Sequence, residues 1–190
     1  MSDYYFDIET CSRSEKPNME KDEIVAITYQ QIDSRTGVIK GPINILKGWE
    51  SSEETILKKF YSIFSPKEKW VFIPIGFNLA FDFTSLIYRW RNIGFEVSAR
   101  SMFAEHPYID MQQVLLMCNN GSFGGCSLEK FGGKKSSGSN VIKWYDQKDY
   151  ISIQEYIEDE AQQFLKLYQY LIQTLPGVWL EYAKANQLII

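Results

Sequence analysis

The pattern of hydrophobic and polar positions predicts three consecutive strands followed by strands that alternate with helices. The first strand is predicted at residues 4–8, where four of the five side chains are large and favour β structure. Further strand-forming runs follow at residues 23–33, 42–49, 70–78 and 106–111. The first three runs are separated only by loops and turns, which is typical of antiparallel strands.

Helical periodicity marks most of the remaining chain. Residues 51–65 have serine at the start, glutamate in the first turn and apolar side chains on one side, which predicts a capped amphipathic helix. Further helices are predicted at residues 81–94, 112–118 and 127–131, and a long one at 152–175 is expected to end at the Pro-Gly pair that follows. These elements predict an α/β fold with a central mixed sheet of about five strands flanked by helices.

Length, charge and cysteine content narrow the class of protein. A chain of 190 residues can bury a core, and we predict a single domain over residues 1–190. The net charge of −4 provides no general affinity for polyanions, so nucleic-acid contact would need a local basic patch. No stretch has the length of a membrane span, and the polar N-terminus is unlike a signal peptide. Three cysteines at unrelated spacings suggest a reducing, cytoplasmic setting.

Two acidic residues lie within the first predicted strand. Asp7 and Glu9 are two residues apart, so strand alternation points both side chains to the same face. Two carboxylates on one face of a core strand repel each other and lose hydration. Either the strand ends here and both side chains reach water, or a cation lies between them.

A third acid follows the fourth predicted strand. Asp82 lies at the start of the helix predicted at 81–94, and open α/β sheets bind ligands at the carboxyl ends of their strands. Asp82 is therefore a candidate site residue, although it could equally serve only as a capping residue. Asn78, between the strand and this helix, is more typical of a turn residue.

The long C-terminal helix supplies a fourth acid and a tyrosine. With about 100° per residue, Glu160 lies at the edge of the apolar stripe, while Asp159 lies on the opposite side, toward solvent. Tyr156 is one turn before Glu160 and shares its flank. The helix therefore turns one carboxylate and one phenol toward the sheet, although Glu160 could also be an edge residue whose stem covers the core.

Three motifs in this order resemble a known superfamily. The sequences "FDIET", "GFNLAFDFTSL" and "YIEDEAQQFLKLY" resemble the three motifs of the DEDD exonucleases, which are RNase H-like 3′→5′ exonucleases and include proofreading domains of family B DNA polymerases. The resemblance extends from Asp7 to about Tyr170 and implies an RNase H-like fold. The segment "YIDMQQVLLM" resembles the stretch between the second and third motifs, so Asp110 within it is expected to be structural.

The third motif places the chain with the tyrosine branch of this superfamily. One branch has histidine and the other tyrosine four residues before the last acid, and Tyr156 has that spacing from Glu160. The chain's single histidine, His106, is expected to be a surface residue before a strand. The superfamily usually has aspartate where this chain has Glu160, and the longer side chain could shift or weaken a second metal. If Glu160 is not the third-motif acid, Asp149 is the next candidate.

The resemblance assigns a two-metal-ion mechanism to these residues. Two Mg²⁺ or Mn²⁺ ions about 3.5–4 Å apart would activate a water and stabilise charge on the phosphate and leaving oxygen. Asp7 would bridge both ions, with Glu9 and Glu160 completing one and Asp82 supporting the other. Tyr156 would orient the attacking water, because a phenol with a pKa near 10 is a poor base at neutral pH.

Candidate substrate-binding residues surround these motifs. Thr10 and Asn78 belong to the first and second motifs, and Phe81 could stack on a terminal base, although an aromatic residue beside a core strand is usually part of the core. Lys134 and Lys135 lie in a Gly/Ser-rich loop that could hold the phosphates of a single strand. A solvated connector is an equal alternative for that loop.

Two further groups of residues are expected to be structural or solvent-facing. Arg89 is expected to face solvent on the second helix. The tryptophans are expected to contribute to packing; they are Trp49, Trp70, Trp90 and Trp179.

The sequence therefore predicts a metal-dependent 3′→5′ exonuclease that releases nucleoside monophosphates from single-stranded DNA or RNA. A polymerase, a helicase or another repair or processing protein is an open possibility as its partner, and no membrane association is expected. One alternative is a non-catalytic nucleic-acid-binding protein that kept the fold and lost metal affinity at Glu160. A second is an α/β domain whose acids are coincidental.

Overall fold

The fold is built on a mixed sheet whose strand order is β3-β2-β1-β4-β5. The computed structural model describes residues 2–13, 17–65, 67–133 and 138–188. The strands are β1 (Asp3–Cys11), β2 (Glu23–Ile32), β3 (Ile39–Lys47), β4 (Ile73–Gly76) and β5 (Ile109–Asp110). The helices are α1 (Glu53–Phe64), α2 (Leu79–Asn92), α3 (Met111–Leu115), α4 (Leu128–Gly132), α5 (Ser139–Gln147) and α6 (Tyr150–Ala185). The predicted α/β fold with a mixed sheet is confirmed.

Strand pairing in the sheet changes from antiparallel to parallel at β1. β1 is antiparallel to β2, which is antiparallel to β3, whereas β4 is parallel to both β1 and β5. Pairing between β1 and β4 ends at Tyr5 and Ile75, so the last part of β1 has no partner on that side among the described strands. This opening lies at the carboxyl ends of two parallel strands, where α/β sheets bind ligands.

The two faces of the sheet are covered by different helices. Phe6 and Ile8 of β1 belong to a core formed with α1 and α2, in which Phe60 and Trp90 are fully buried. Tyr5, on the other face, belongs to a core formed with α6 and the short helices α3 and α4. Alternate side chains of β1 therefore belong to different cores, and each face of the sheet has its own hydrophobic layer.

Helix ends follow the expected capping chemistry at several positions. The Ser52 hydroxyl accepts a hydrogen bond from the backbone N–H of Thr55 at 3.1 Å, which confirms the predicted start of α1. Asp149 caps α6 by accepting hydrogen bonds from the backbone N–H of Ser152 at 3.2 Å and its hydroxyl at 2.6 Å. Asp149 therefore has a structural partner at the start of α6.

The long C-terminal helix does not end where the sequence predicted. α6 continues through Pro176 and Gly177 to Ala185. Proline removes one helical N–H and leaves a carbonyl one turn earlier without its partner. That carbonyl belongs to Ile172, which is half-buried and adjoins residues 173–182, all of them exposed, so water can reach it and the helix continues. No helix in the described part of the chain combines the length and apolar character needed to cross a membrane.

Several expectations about individual side chains are wrong. His106 is buried rather than exposed, because its Nε2 is 2.7 Å from the Phe72 carbonyl oxygen and its ring stacks on Phe64 at 4.5 Å. Arg89 does not simply face solvent, since its Nε donates to Glu53 Oε1 at 2.7 Å in a part-buried ion pair.

The tryptophans also divide into two groups. Trp90 is fully buried, and Trp49 stacks on Tyr150 with the ring centroids 5.3 Å apart, so both pack as predicted. Trp70 and Trp179 are each 57% exposed, so the packing role expected for them is not observed.

Candidate active site

Two of the predicted acids lie on the face of β1 that is turned toward α6. Strand alternation puts Asp7 and Glu9 on the same face as Tyr5, whose ring packs against Phe164 of α6 with the centroids 4.9 Å apart. Glu9 is only 7% exposed and Asp7 is half-buried. The register between β1 and β2 shifts after Glu9, a bulge of the kind often found beside active sites.

The third acid comes from α6 and completes a carboxylate cluster. One oxygen each from Asp7, Glu9 and Glu160 lie within 4.8 Å of one another. The helical phase predicted for Glu160 is therefore correct, and its longer side chain does reach the strand acids. Asp159 lies outside this cluster, and its carboxylate accepts a hydrogen bond from Gln163 on its own helix at 3.4 Å.

The cluster fits one hard divalent cation. In an octahedral Mg²⁺ site the ligand oxygens lie about 2.1 Å from the ion, so opposite ligands are roughly 4.2 Å apart. Three carboxylate oxygens that are no more than 4.8 Å apart can therefore share one ion with modest movement. Carboxylate oxygens are also the ligands that Mg²⁺ and Mn²⁺ prefer.

Asp82 approaches β1 from the opposite layer, at the opening between β1 and β4. Its Oδ1 accepts a hydrogen bond from the backbone N–H of Ile8 at 3.1 Å, which satisfies a group that β4 leaves unpaired. The side chain is 3% exposed. Burial raises the pKa of Asp82 well above its usual range, and the charges of Asp110 and Glu160 raise it further. The hydrogen bond from Ile8 lowers the pKa but does not offset these effects. Asp82 is therefore near the acids but outside the three-residue cluster.

Tyr156 lies beside the cluster as the helical phase predicts. Its side chain is 5% exposed and forms a hydrogen bond with Glu160. Burial raises the pKa of Tyr156 far above that of a free phenol, and the charges of Glu9 and Glu160 contribute to the increase. The phenol therefore stays protonated and serves as a hydrogen-bond donor.

A helix that the sequence did not predict covers this side of the site. α5 packs on the end of β1, and Val141 of α5 is fully buried with Ile153 and Tyr156. At the start of α5, a Cβ added to Gly138 would lie 3.3 Å from the Tyr156 hydroxyl oxygen. The backbone at Gly138 thus approaches the phenol closely, and the Trp144 ring lies 5.9 Å from the Tyr156 ring.

The proposed substrate-binding residues are only partly brought to the site. Asn78 is exposed at the N-cap of α2 with φ of 60°, a left-handed turn conformation, and its side chain makes no capping bond. Phe81 is half-buried against the core of α1 and α2. Strand alternation places Thr10 on the face of β1 opposite Asp7. Lys134 and Lys135 lie outside the described residues.

Asp110 is a structural acid next to these residues. It is the last residue of β5, and its Oδ1 accepts hydrogen bonds from the backbone N–H groups of Asn78 at 2.9 Å and Gln112 at 3.0 Å. The first bond holds the turn before α2, and the second caps α3. Burial raises the pKa of Asp110, against the lowering effect of these backbone bonds. The sequence-based expectation of a structural role for Asp110 rested on the resemblance of its segment to the stretch between the second and third motifs.

The fold has clear relatives among solved structures. No protein-family model matches the chain, and no curated protein matches its sequence. The family B DNA polymerase from the hyperthermophilic archaeon Pyrobaculum calidifontis matches with a TM-score of 0.65 and 16% identity over 90% of this chain and 24% of that chain. Exonuclease I bound to the inhibitor BCBP matches with a TM-score of 0.61 and 12% identity over 97% of this chain and 43% of that one.

A second exonuclease I structure, with bound product, gives a TM-score of 0.53 at 14% identity, over 90% of this chain and 46% of the other. The chain therefore spans less than half the length of each of these structures. At these identities the similarity establishes the fold, which is RNase H-like. The sequence-based expectation of that fold is confirmed.

Proposed function

We propose that the chain is a metal-dependent 3′→5′ exonuclease of the tyrosine branch of the DEDD superfamily. The observation that carries the proposal is the cluster of Asp7, Glu9 and Glu160 beside a buried Tyr156 at the opening between β1 and β4. The matched family B DNA polymerase and two structures of exonuclease I share this architecture, and the exonuclease I structures support the same reaction class.

The acid cluster is the cation site of the proposed enzyme. Asp7, Glu9 and Glu160 would hold a divalent ion, and the resemblance to the superfamily assigns a second ion to Asp7 and Asp82. The ions would lower the pKa of a bound water and neutralise charge on the phosphate and the leaving 3′ oxygen. Without a cation, three neighbouring carboxylates repel one another, so the cluster is electrostatically unfavourable.

Tyr156 positions the water in this proposal. Its raised pKa keeps the hydroxyl protonated, so it donates a hydrogen bond and cannot act as a general base at neutral pH. The hydrogen bond with Glu160 and the close approach of Gly138 fix the ring in place. Because the single hydroxyl proton is donated to Glu160, the phenol oxygen would accept a hydrogen bond from the water and hold it in one orientation, which lowers the entropy cost of attack.

Asp82 has two functions in the proposed site. Its bond to the Ile8 N–H fixes the backbone between the two strand acids. Its raised pKa means that the carboxyl holds a proton more readily than a free aspartate does, and a nearby cation would favour the ionised form. Cation binding and ionisation of Asp82 are therefore expected to occur together.

The test is hydrolysis of single-stranded oligonucleotides of DNA and of RNA, each labelled at the 5′ end. With Mg²⁺ or Mn²⁺ the labelled strand should shorten one nucleotide at a time and release nucleoside monophosphates, and with EDTA it should remain intact. Asp159→Asn is the matched control variant, because this acid lies on the same helix as Glu160 but outside the cluster.

Three results would contradict the proposal in different ways. Cleavage at internal positions would indicate an endonuclease. Binding of the strand without hydrolysis in either metal would favour the non-catalytic alternative with a degenerate metal site at Glu160. Hydrolysis that persists in EDTA would exclude a metal-dependent mechanism.

A further inference from the structure

The end of α6 extends beyond the body of the protein. Leu171 is the last residue of this helix that belongs to the core with Tyr5, and it is 9% exposed. Of the later positions, Ile172 packs against that core and Ala183 is fully buried, whereas residues 173–182 and 184–188 are exposed, although the helix continues to Ala185. We call residues 173–188 the C-terminal arm. The arm spans about four helical turns with little support from the rest of the described chain.

The arm carries an apolar stripe in the same phase as the buried stripe of α6. Leu175, Val178 and Tyr182 follow Leu171 at spacings of four, three and four residues, which is the spacing of a helix–helix contact seam. Their exposed fractions are 43%, 58% and 56%. Trp179 lies beside this seam with its ring 5.7 Å from that of Tyr182.

Such a continuous apolar face is unusual on a protein surface. Isolated exposed apolar residues are common, whereas a contiguous row with large aromatic members marks an interaction site. The opposite side of the arm differs, since Glu181 and Lys184 lie about 100° and 160° around the helix from Tyr182. One face of the arm is therefore continuously apolar and lacks a partner within the described chain, whereas the opposite face combines these two charges with the isolated, exposed Leu180.

Charge identifies the kind of partner that fits. Between residues 171 and 188 the only ionised side chains are Glu181 and Lys184, so the arm is neutral while the whole chain has a net charge of −4. A nucleic acid or an anionic lipid surface would be attracted only weakly, because the arm has a single lysine. A neutral, apolar surface fits this face instead, and two arms can approach each other without charge repulsion.

We propose that the C-terminal arm pairs with the arm of a second copy of this chain to form a two-fold symmetric dimer. Two identical apolar seams are self-complementary, as a two-fold interface requires. With the smaller residues beside them, the four large side chains offer on the order of 500 Å² per copy, or about 1,000 Å² in total, which is at the lower end for a specific interface. The dimer is accordingly reversible, with a dissociation constant in the micromolar range.

Sedimentation velocity of the full chain between about 1 and about 100 µM tests the proposal. The weight-average mass should rise from the monomer value of 22.2 kDa toward twice that value. Val178→Asp places a charge in the seam and should raise the dissociation constant at least about tenfold. Leu180→Asp is the matched control, because Leu180 lies about 160° around the helix from Val178 and is 41% exposed.

Each outcome decides the question. A mass of 22.2 kDa at the highest concentration overturns the proposal and leaves the arm to a different protein. If Val178→Asp and Leu180→Asp raise the dissociation constant equally, or if neither variant raises it, the assignment of the seam is overturned. Circular dichroism confirms that each variant is folded, and Leu175→Asp gives a second, independent disruption of the same stripe.

Discussion

On one face of β1, Phe6 and Ile8 are buried among the aromatic side chains of α1 and α2, and Phe6 stacks on Phe60 with the centroids 5.2 Å apart. On the other face of the same strand, Asp7 and Glu9 are turned toward α6 and meet a third carboxylate. Burial on the first face removes apolar surface from water and stabilises the fold. Burial on the second face brings like charges together and lowers the stability of the protein without a cation.

The comparison shows which residues are placed for folding and which for chemistry. The buried apolar side chains of the Phe6 face pack against one another, whereas the other face brings three carboxylates close together as like charges. Changes on the two faces should therefore have opposite signatures, one in stability and the other in activity.

The largest effect is expected from Asp7→Asn. Removing one charge from the cluster should weaken cation binding and lower the exonuclease rate at least about 1,000-fold. The melting temperature of the protein without metal should stay the same or rise, because carboxylate repulsion is relieved. Single-turnover hydrolysis and thermal unfolding in EDTA measure the two effects. Full activity in this variant would remove the acid cluster from the mechanism.

The opposite signature is expected from Phe6→Ala, one position away on the other face. The fully buried ring leaves a cavity, so the free energy of unfolding should fall by about 3–5 kcal/mol. Urea unfolding measures the loss, and Mn²⁺ affinity of the protein that remains folded should change little. A large loss of Mn²⁺ affinity with small destabilisation would mean that the two faces are not separate in function.

A smaller effect on activity is expected from Tyr156→Phe. The variant keeps the ring in its buried position but removes the hydroxyl that bonds with Glu160, so the rate should fall about 10–100-fold while cation binding is largely kept. Measuring the exonuclease rate and the Mn²⁺ affinity on the same sample distinguishes a loss of turnover from a loss of cation binding. Unchanged turnover would show that another group orients the water.

The smallest effect concerns the single titratable imidazole on the aromatic side. Burial lowers the pKa of His106, so the unfolded chain binds the proton more readily than the folded one. Stability should therefore be lost as pH falls below the unfolded pKa of about 6.5. The difference in unfolding free energy between the wild type and His106→Gln, measured from pH 8 to about pH 5, isolates this group from the acids. If the wild type became more stable relative to the variant as pH falls, the predicted destabilisation through His106 would be contradicted.

Periodicity was sufficient to predict most strands and helices and the side of each element on which the acids lie, whereas the resemblance to the exonuclease motifs joined these acids into one expected site. Strand alternation placed Asp7 and Glu9 together, and helical phase placed Glu160 and Tyr156 on the side facing them. These positions are set by local geometry with fixed periods, which the sequence expresses directly.

Features that depend on tertiary packing were not predictable in the same way. α5 has nine residues after a Gly/Ser-rich stretch, and a helix of that length is stable only through packing such as that of Val141. The extension of α6 through Pro176 depends on the exposure of the arm to water. Burial of His106 depends on a carbonyl and a ring far away in sequence.

The site was likewise predictable only in part. Asp82 was found as a candidate because it follows a core strand, but its bond to the Ile8 N–H arises from the gap between β1 and β4, which a sequence pattern does not contain. The structural bonds of Asp110 depend in the same way on the turn at Asn78.

The most direct measurement is a Mn²⁺ titration followed by electron paramagnetic resonance on the wild type, Glu160→Gln and Asp159→Asn. Glu160→Gln removes a charge from the cluster with little change in shape, so its dissociation constant for Mn²⁺ should rise at least about tenfold. Asp159→Asn should bind Mn²⁺ as the wild type does, since its carboxylate lies outside the cluster. Wild-type affinity in Glu160→Gln, or a greater loss in Asp159→Asn, would contradict the assignment of the cation site.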